Sequence, residues 1–290
     1  MEVEVVGGLS EDTVIWRYMG IDKFINLLAD SGLFFTPLSF YKKSDPFEGY
    51  PPRVAMEALY SISKSFNDRA RAQISYWEQF VPSQHDNPKF LESLQSMKDK
   101  VEAQPSLFMD IFAKTTGSTL VSCWCGSAGE SEAMWKLYGE SSKGIAIRST
   151  VGRLKSALEA AQEISWPKKI FIGKVKYLDY ADSTLSAKDC VVNGLISPLL
   201  KRVQYAHEHE IRAFFVSNIS YEAIDSFDAK PHQIEISLGE LIESVYVSPY
   251  VDTSYAKAVR AVFNVYQLQC DMVESELLKG DERLFPFIDR

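Results

Sequence analysis

Strand-like runs stand on both sides of a long stretch that has almost none. From about Val54 to Thr115 the chain is polar-rich and helical in texture, without the β-branched and aromatic clusters that mark strands. Such clusters occur before it, in "TVIWRYM" and "LFFTP", and resume from Ser118 with "STLVSCWC", "KGIAIRS", "KKIFIGKVKYLDY", "EIRAFFV", "HQIEISL" and "ESVYVSP". A fold for this chain has to reunite strands across that gap. The pattern predicts one α+β domain over residues 1–290, with a single mixed sheet and a helical insertion at 54–115 that packs beside the sheet and covers part of its cleft.

Helical spacing supplies the other layer. "IDKFINLLADSG" places Phe24, Leu27 and Leu28 on one face and ends at Gly32. "ESEAMWKLYG" and "VGRLKSALEAAQ" follow the same rule, and "NGLISPLLKRVQYAHEH" reads as a helix leading into the next strand. "DTSYAKAVRAVFNVYQL" is amphipathic, with Asp252, Thr253 or Ser254 as its cap. The loop "LSFYKKSDPFEGYPP" between the second strand and the insertion is set by its prolines and glycine.

Composition narrows the function classes. With 46% hydrophobic and 24% charged residues, the 290-residue chain has the balance of a soluble globular protein. No run approaches the roughly 18 apolar residues of a membrane helix, and the acidic start "MEVEVVGGLSEDT" lacks a signal peptide's basic region, so the expected location is the cytoplasm. Four cysteines without a CxxC pair fit a reducing compartment. A net charge of -8 argues against a general grip on nucleic acid phosphates, leaving only a local basic groove for such contacts.

Several constellations carry chemistry, each with a plainer alternative. In "YAHEHEIRAFF", read as a strand, Glu208, Glu210 and Arg212 share one face and His207, His209 and Ile211 the other. The crowding fits either a site that needs a carboxylate or a solvated strand with Glu210 and Arg212 as surface neighbours. Arg17, followed by Tyr18 at the end of an apolar strand, can clamp a phosphate or pair with an internal carboxylate. "SDPFEG" presents Asp45 and Glu48 from a turn stiffened by Pro46, for a ligand or for backbone amides. Met134, Trp135 and Tyr138 lie at helical spacing, as a core stripe or as rings for stacking, and Gly139 and Gly144 beyond them would let a ligand approach the backbone. "CWC" and "HEH" could in principle form a Cys2His2 zinc site, but neither has zinc-motif spacing, and no metal is expected.

Three stretches together, "IWRYMGIDKFINLLADSGLFFTPLSFYKKSDPFEGY", "SCWCGSAGESEAMWKLYGESSKGIAIRS" and "YAHEHEIRAF", resemble the bacterial domain of unknown function numbered 2971, itself similar to AbiGi-type abortive-infection proteins. The chain has Ser44 and Cys125 where that family's pattern has Asn and Ser. The order of an aromatic-Arg-Tyr strand, an aromatic helix before a Gly-containing strand and a late Glu-x-Glu is also similar to the ADP-ribosyltransferase plan, in which NAD lies across a split sheet. That resemblance implies a phage-defence or toxin-type protein with a nucleotide ligand, NAD, and a protein or nucleic acid as target. It implies that Arg17 and Tyr18 contact the nucleotide, that Trp135 or Tyr138 stacks, and that Glu210 acts on the ribose while Glu208 orients an acceptor. Asp45, Glu48 and Arg212 complete the implied cofactor-binding set. Two other classes stay open: a non-enzymatic interaction or sensing module, and a metal-dependent nuclease using Asp45, Glu48, Glu208 and Glu210.

Overall fold

The separated strand runs do join in one sheet. A computed structural model describes residues 1–139, 143–161, 167–194, 198–217 and 230–279. Among these, ten strands form a mixed sheet whose main path is β1 (Glu2–Val5), β6 (Lys169–Lys174), β9 (Glu210–Val216), β4 (Thr119–Gly126), β2 (Val14–Gly20), β5 (Gly144–Thr150), β11 (Ser244–Val247) and β12 (Asp271–Glu274). The remaining two, β3 (Gly32–Pro37) and β10 (His232–Glu235), pair with each other, and β3 also pairs with β4. The outermost pairs β1·β6 and β11·β12 are parallel and the others antiparallel. The insertion at 54–115 therefore sits between β3 and β4, which are neighbours in the sheet.

Strand β4 is where the sheet divides. One of its edges runs along β9 from Thr119 to Cys125. The other edge is shared: β2 pairs with it only at Ile15–Gly126 and Trp16–Cys125, and β3 only at Thr36–Val121 and Pro37–Leu120. Beyond Trp16, β2 stays with β5, and β3 stays with β10. The sheet is thus split beside Ser122, Cys123 and Trp124.

Helices cover both faces. On one, α1 (Ile21–Asp30), α6 (Val151–Glu159), α7 (Leu238–Leu241) and α8 (Thr253–Tyr266) bury the main core, which includes Phe24, Phe35, Ile147, Leu154, Ile211 and Val259. Helix α8 is capped as its sequence predicts, with the Asp252 carboxylate accepting from Tyr255 N at 2.8 Å. On the other face lie α5 (Glu132–Tyr138) and a small parallel sheet of β7 (Lys176–Leu178) and β8 (Leu200–Arg202).

Four local expectations change. The segment ending in "KRVQYAHEH" is not a helix where it is described: it forms β8 and then a 3-10 turn over Val203–Glu208 (residues 195–197 lie outside the described set). The strand begins at Glu210, because His209 takes a left-handed conformation with φ 44°, so neither Glu208 nor the histidines share in its alternation. "KKIFIGKVKYLDY" breaks at Val175 into β6 and β7, which belong to different sheets. Helix α1 stops at left-handed Ser31, and Gly32 opens the next strand, where the Gln233 side chain lies close over it.

The insertion is three helices, α2 (Arg53–Glu78), α3 (Pro88–Glu102) and α4 (Gln104–Ser118), with a small core of its own around Ile74, Leu94 and Val101. It enters against the small sheet, where Ala55 packs with Leu178 and Leu200, and its last helix returns against β3 and β4. The "SDPFEG" turn is locked to that last helix. Gly49 has φ +77°, and a Cβ on it would lie 2.4 Å from Thr116 Cγ2. Gly49→Ala should therefore cost about 1–3 kcal/mol in chemical denaturation. Adding Thr116→Ala should restore only part of the loss, since the clash goes and the backbone strain stays.

Candidate functional site

A cavity of about 580 Å3 opens at the split, and side chains from both faces of the sheet reach it. Arg17 shares its face of β2 with the core residues Ile15 and Met19, and enters with Trp124 and the α1 residues Lys23 and Asn26. Tyr18, Cys123, Cys125, Tyr138, Glu208 and Glu210 enter from the opposite face. Gly126 N bonds His209 O across to β9, so by antiparallel alternation Cys123 turns its main-chain N–H and C=O toward the gap. A second cavity, about 560 Å3, lies between the end of α8 and β12 and holds none of the residues singled out from the sequence.

The far wall is a buried ion network. Arg212 donates to both oxygens of Glu210, through Nε at 2.8 Å and Nη2 at 3.0 Å, and to Pro198 O at 2.6 Å. Its Nη1 also lies 2.8 Å from Glu48 Oε1, an ion pair off hydrogen-bond alignment. Lys201 on β8 reaches Glu208, Glu210 at 3.1 Å and Glu48 at 3.6 Å. Three carboxylates thus surround two cations, each group at most 9% exposed. Tyr138 Oη donates to Glu208 Oε1 at 3.1 Å, and Glu210 N donates to Tyr177 Oη at 2.8 Å, which fixes the start of β9.

Burial alone would push the Glu210 carboxyl up, but Arg212 and Lys201 outweigh it and hold it at about 2. For Arg212 and Lys201, burial works against the charge and the surrounding carboxylates overcome it, so both are raised. Burial drives the Cys123 thiol well up, and Cys125 is pushed up to about 11, so neither is a ready nucleophile.

Arg17 contrasts with Arg212. Its Nη1 donates to Ser122 Oγ at 3.0 Å and its guanidinium lies 5.6 Å from the Trp124 ring centre, but it makes no ion pair among the described residues. Burial lowers its pKa, as expected of a desolvated cation without a carboxylate partner. The alternative in which Arg17 pairs internally is therefore not what the structure shows.

The other expected residues divide. Glu210 and Arg212 share a strand face, but on a central strand and fully buried, which overturns the solvated-edge alternative. Arg212 lines the cavity with its guanidinium committed to Glu210, Glu48 and Pro198, leaving little for a cofactor. Asp45 accepts from Phe47 N at 3.0 Å and pairs with Arg202 at 2.6 Å, so the turn's carboxylates serve both backbone and ion pairs. Trp135 is a correction: it is 1% exposed, donates to Glu130, stacks edge-on with Tyr18 and does not line the cavity. Gly139 and Gly144 are needed for that packing, because a Cβ on Gly144 would meet Gly139 Cα at 2.6 Å and the Trp135 ring at 3.2 Å. Most of the loop between them, 140–142, lies outside the described residues. No residue of 54–115 is among the described residues that line the cavity, so the expected cover is not seen in the described part of the insertion. Among the described residues no His, Cys, Asp and Glu group is arranged to hold a metal ion, and no helix is long and apolar enough to cross a membrane.

Sequence reading missed Lys201 and Trp124. Lys201 was hidden by the helical reading of "PLLKRV"; as a strand, the same residues put one lysine inward from an apolar flank. No family model, curated protein or solved structure matches this chain.

The network gives a pH dependence with a definite sign. Glu210 is depressed from an ordinary value near 4.5 to about 2, so its contribution is complete above the upper value and is lost as pH falls toward the lower. Glu210→Gln should cost about 3 kcal/mol near pH 7, where Arg212 and Lys201 lose a counter-charge, and the gap to the unmodified protein should narrow between pH 5 and 2. Urea denaturation across that range checks it, and a constant gap would show that Glu210 stabilises by packing alone.

Proposed function

We propose that this chain binds NAD or a related nucleotide at the split of its sheet, as an ADP-ribosyltransferase-like member of a bacterial defence system. The observation that supports the reading is convergence: Arg17 from one face and Glu208 with Glu210 from the other line one cavity. Its volume, about 580 Å3, falls within the roughly 300–1,000 Å3 of small-molecule and cofactor sites. The likeness of the sequence to domain 2971 and to the ADP-ribosyltransferase plan favours the same conclusion.

In this reading Arg17 supplies a fixed positive charge for a phosphate, since no carboxylate among the described residues pairs with it. Tyr138, 44% exposed at the rim, takes the stacking role in place of Trp135. A carboxylate beside the ribose stabilises the positive charge that develops as nicotinamide departs. Glu208 is the better placed for that work. Glu210 has both oxygens on Arg212 and a further contact to Lys201, and acts by holding Lys201 and the strand in place.

The commitment of Glu210 also favours a second reading, a nucleotide-sensing module without turnover. The nuclease alternative draws no support from the four acids, because Asp45 is paired with Arg202, and the three glutamates with Lys201 and Arg212.

Calorimetry with NAD and chromatography of released nicotinamide separate these outcomes. Arg17→Lys should weaken NAD binding about tenfold, through loss of the guanidinium fork. Glu208→Gln should keep binding while nicotinamide release falls on the order of a hundredfold or more. Binding without release in the unmodified protein selects the sensing module, and no binding at all removes the nucleotide reading.

A further inference from the structure

We infer that Trp124 is a ligand-binding residue, its indole N–H donating to the same phosphate that Arg17 holds. The inference rests on the nucleotide reading for the identity of the ligand, and on independent geometry for the donor. Trp124 is 2% exposed, lines the cavity, and buries its Nε1–H without a hydrogen-bond partner among the described residues. Its neighbours in the sheet layers are satisfied: Trp16 Nε1 donates to Ser127 O at 2.9 Å and Trp135 Nε1 to Glu130 Oε2 at 3.0 Å. An orphaned buried donor costs stability until an acceptor reaches it.

Around this donor the chemistry is all of one kind. The Arg17 guanidinium lies 5.6 Å from the Trp124 ring centre, with one described hydrogen bond and no ion pair, and Lys23 of α1 lines the same cavity without an ion pair among the described residues. These donors belong to the α1 side of the sheet, and the carboxylates Glu208 and Glu210 to the α5 side. A ligand with an anionic group and a hydroxyl-rich or cationic group at its two ends therefore has one orientation: phosphate toward Arg17 and Trp124, sugar toward the acids, with the chain of the ligand passing through the split.

Trp124→Phe keeps an aromatic ring beneath Arg17 and removes only the N–H and its ring. With the full chain and calorimetry, inorganic pyrophosphate, ADP and ADP-ribose should each bind the variant about tenfold more weakly, the effect of one hydrogen bond to a charged group. Nicotinamide riboside, which has no phosphate, should bind both proteins equally. Thermal melting of the unliganded variant serves as the folding control, since the smaller ring leaves a cavity where the indole was buried. Equal pyrophosphate and ADP affinity in the two proteins overturns the inference while leaving NAD binding by the parent to judge the nucleotide reading. Pyrophosphate binding that depends on Trp124, without NAD binding, upholds the inference and removes that reading. If Trp124→Phe does not fold, the 15N-indole resonance of Trp124 in the parent protein decides: it should shift when pyrophosphate or ADP is added, and an unmoved resonance or no binding by any probe overturns the inference.

Discussion

The bidentate contact between Arg212 and Glu210 holds the middle of this protein together. It lies on the central strand β9, with β4 and β6 on either side, where neither charge can reach bulk water. Neither ion could be buried there alone, since desolvating an unpaired charge costs several kcal/mol. Each therefore recruits a second partner: Arg212 takes Glu48 from the "SDPFEG" turn, and Glu210 takes Lys201 from β8. The turn before the insertion, the small sheet after it and the central strand are thus tied at one point. The positive φ of Gly49 and its contact with Thr116 extend the tie to the last helix of the insertion.

The same tie explains why two arginines in one sheet differ so much. Arg212 is saturated by carboxylates and a carbonyl, and its charge is spent inside the fold. Arg17, across the split, has a serine hydroxyl and the face of an indole. Both are desolvated, so the difference lies in partners rather than in exposure, and only the second arginine has donors left for something that is not protein.

Much of this was legible in the sequence, and what was not has physical causes. The strands around β4, β5, β9 and β11, and helices α1, α5, α6 and α8, follow from periodicity and composition, because each buries one face in a continuous core. The same-face placement of Glu210 and Arg212 follows from period two. Their burial does not, because Glu-x-Arg reads identically on an edge and on a central strand until the flanking strands are known. "PLLKRVQYAHEH" misled for a related reason: its apolar residues fit a helical period as well as a short strand followed by a 3-10 turn, and the left-handed His209 that ends the turn has no strong local signature. The short edge strands β1 and β12 are only four residues each, too brief for a period to stand out. Trp135 and Trp124 show the limit for single residues, since a buried ring and a ring at a cavity wall look alike in a string of letters.

Two residue pairs join β2 to β4 before the strands part. In the same register the next pairs would be Arg17 with Trp124 and Tyr18 with Cys123, and forming them would carry the ladder across the gap. The cavity is therefore opened by main-chain register. One wall, the network of Glu48, Lys201, Glu210 and Arg212, belongs to the fold itself, while Arg17 and Lys23 on the α1 side make no ion pair among the described residues and set the chemistry there. An architecture of that kind separates the capacity to hold a ligand from the choice of which ligand, so the preference of the site can drift by substitution at Arg17 or Lys23 without breaking the ion network beyond them.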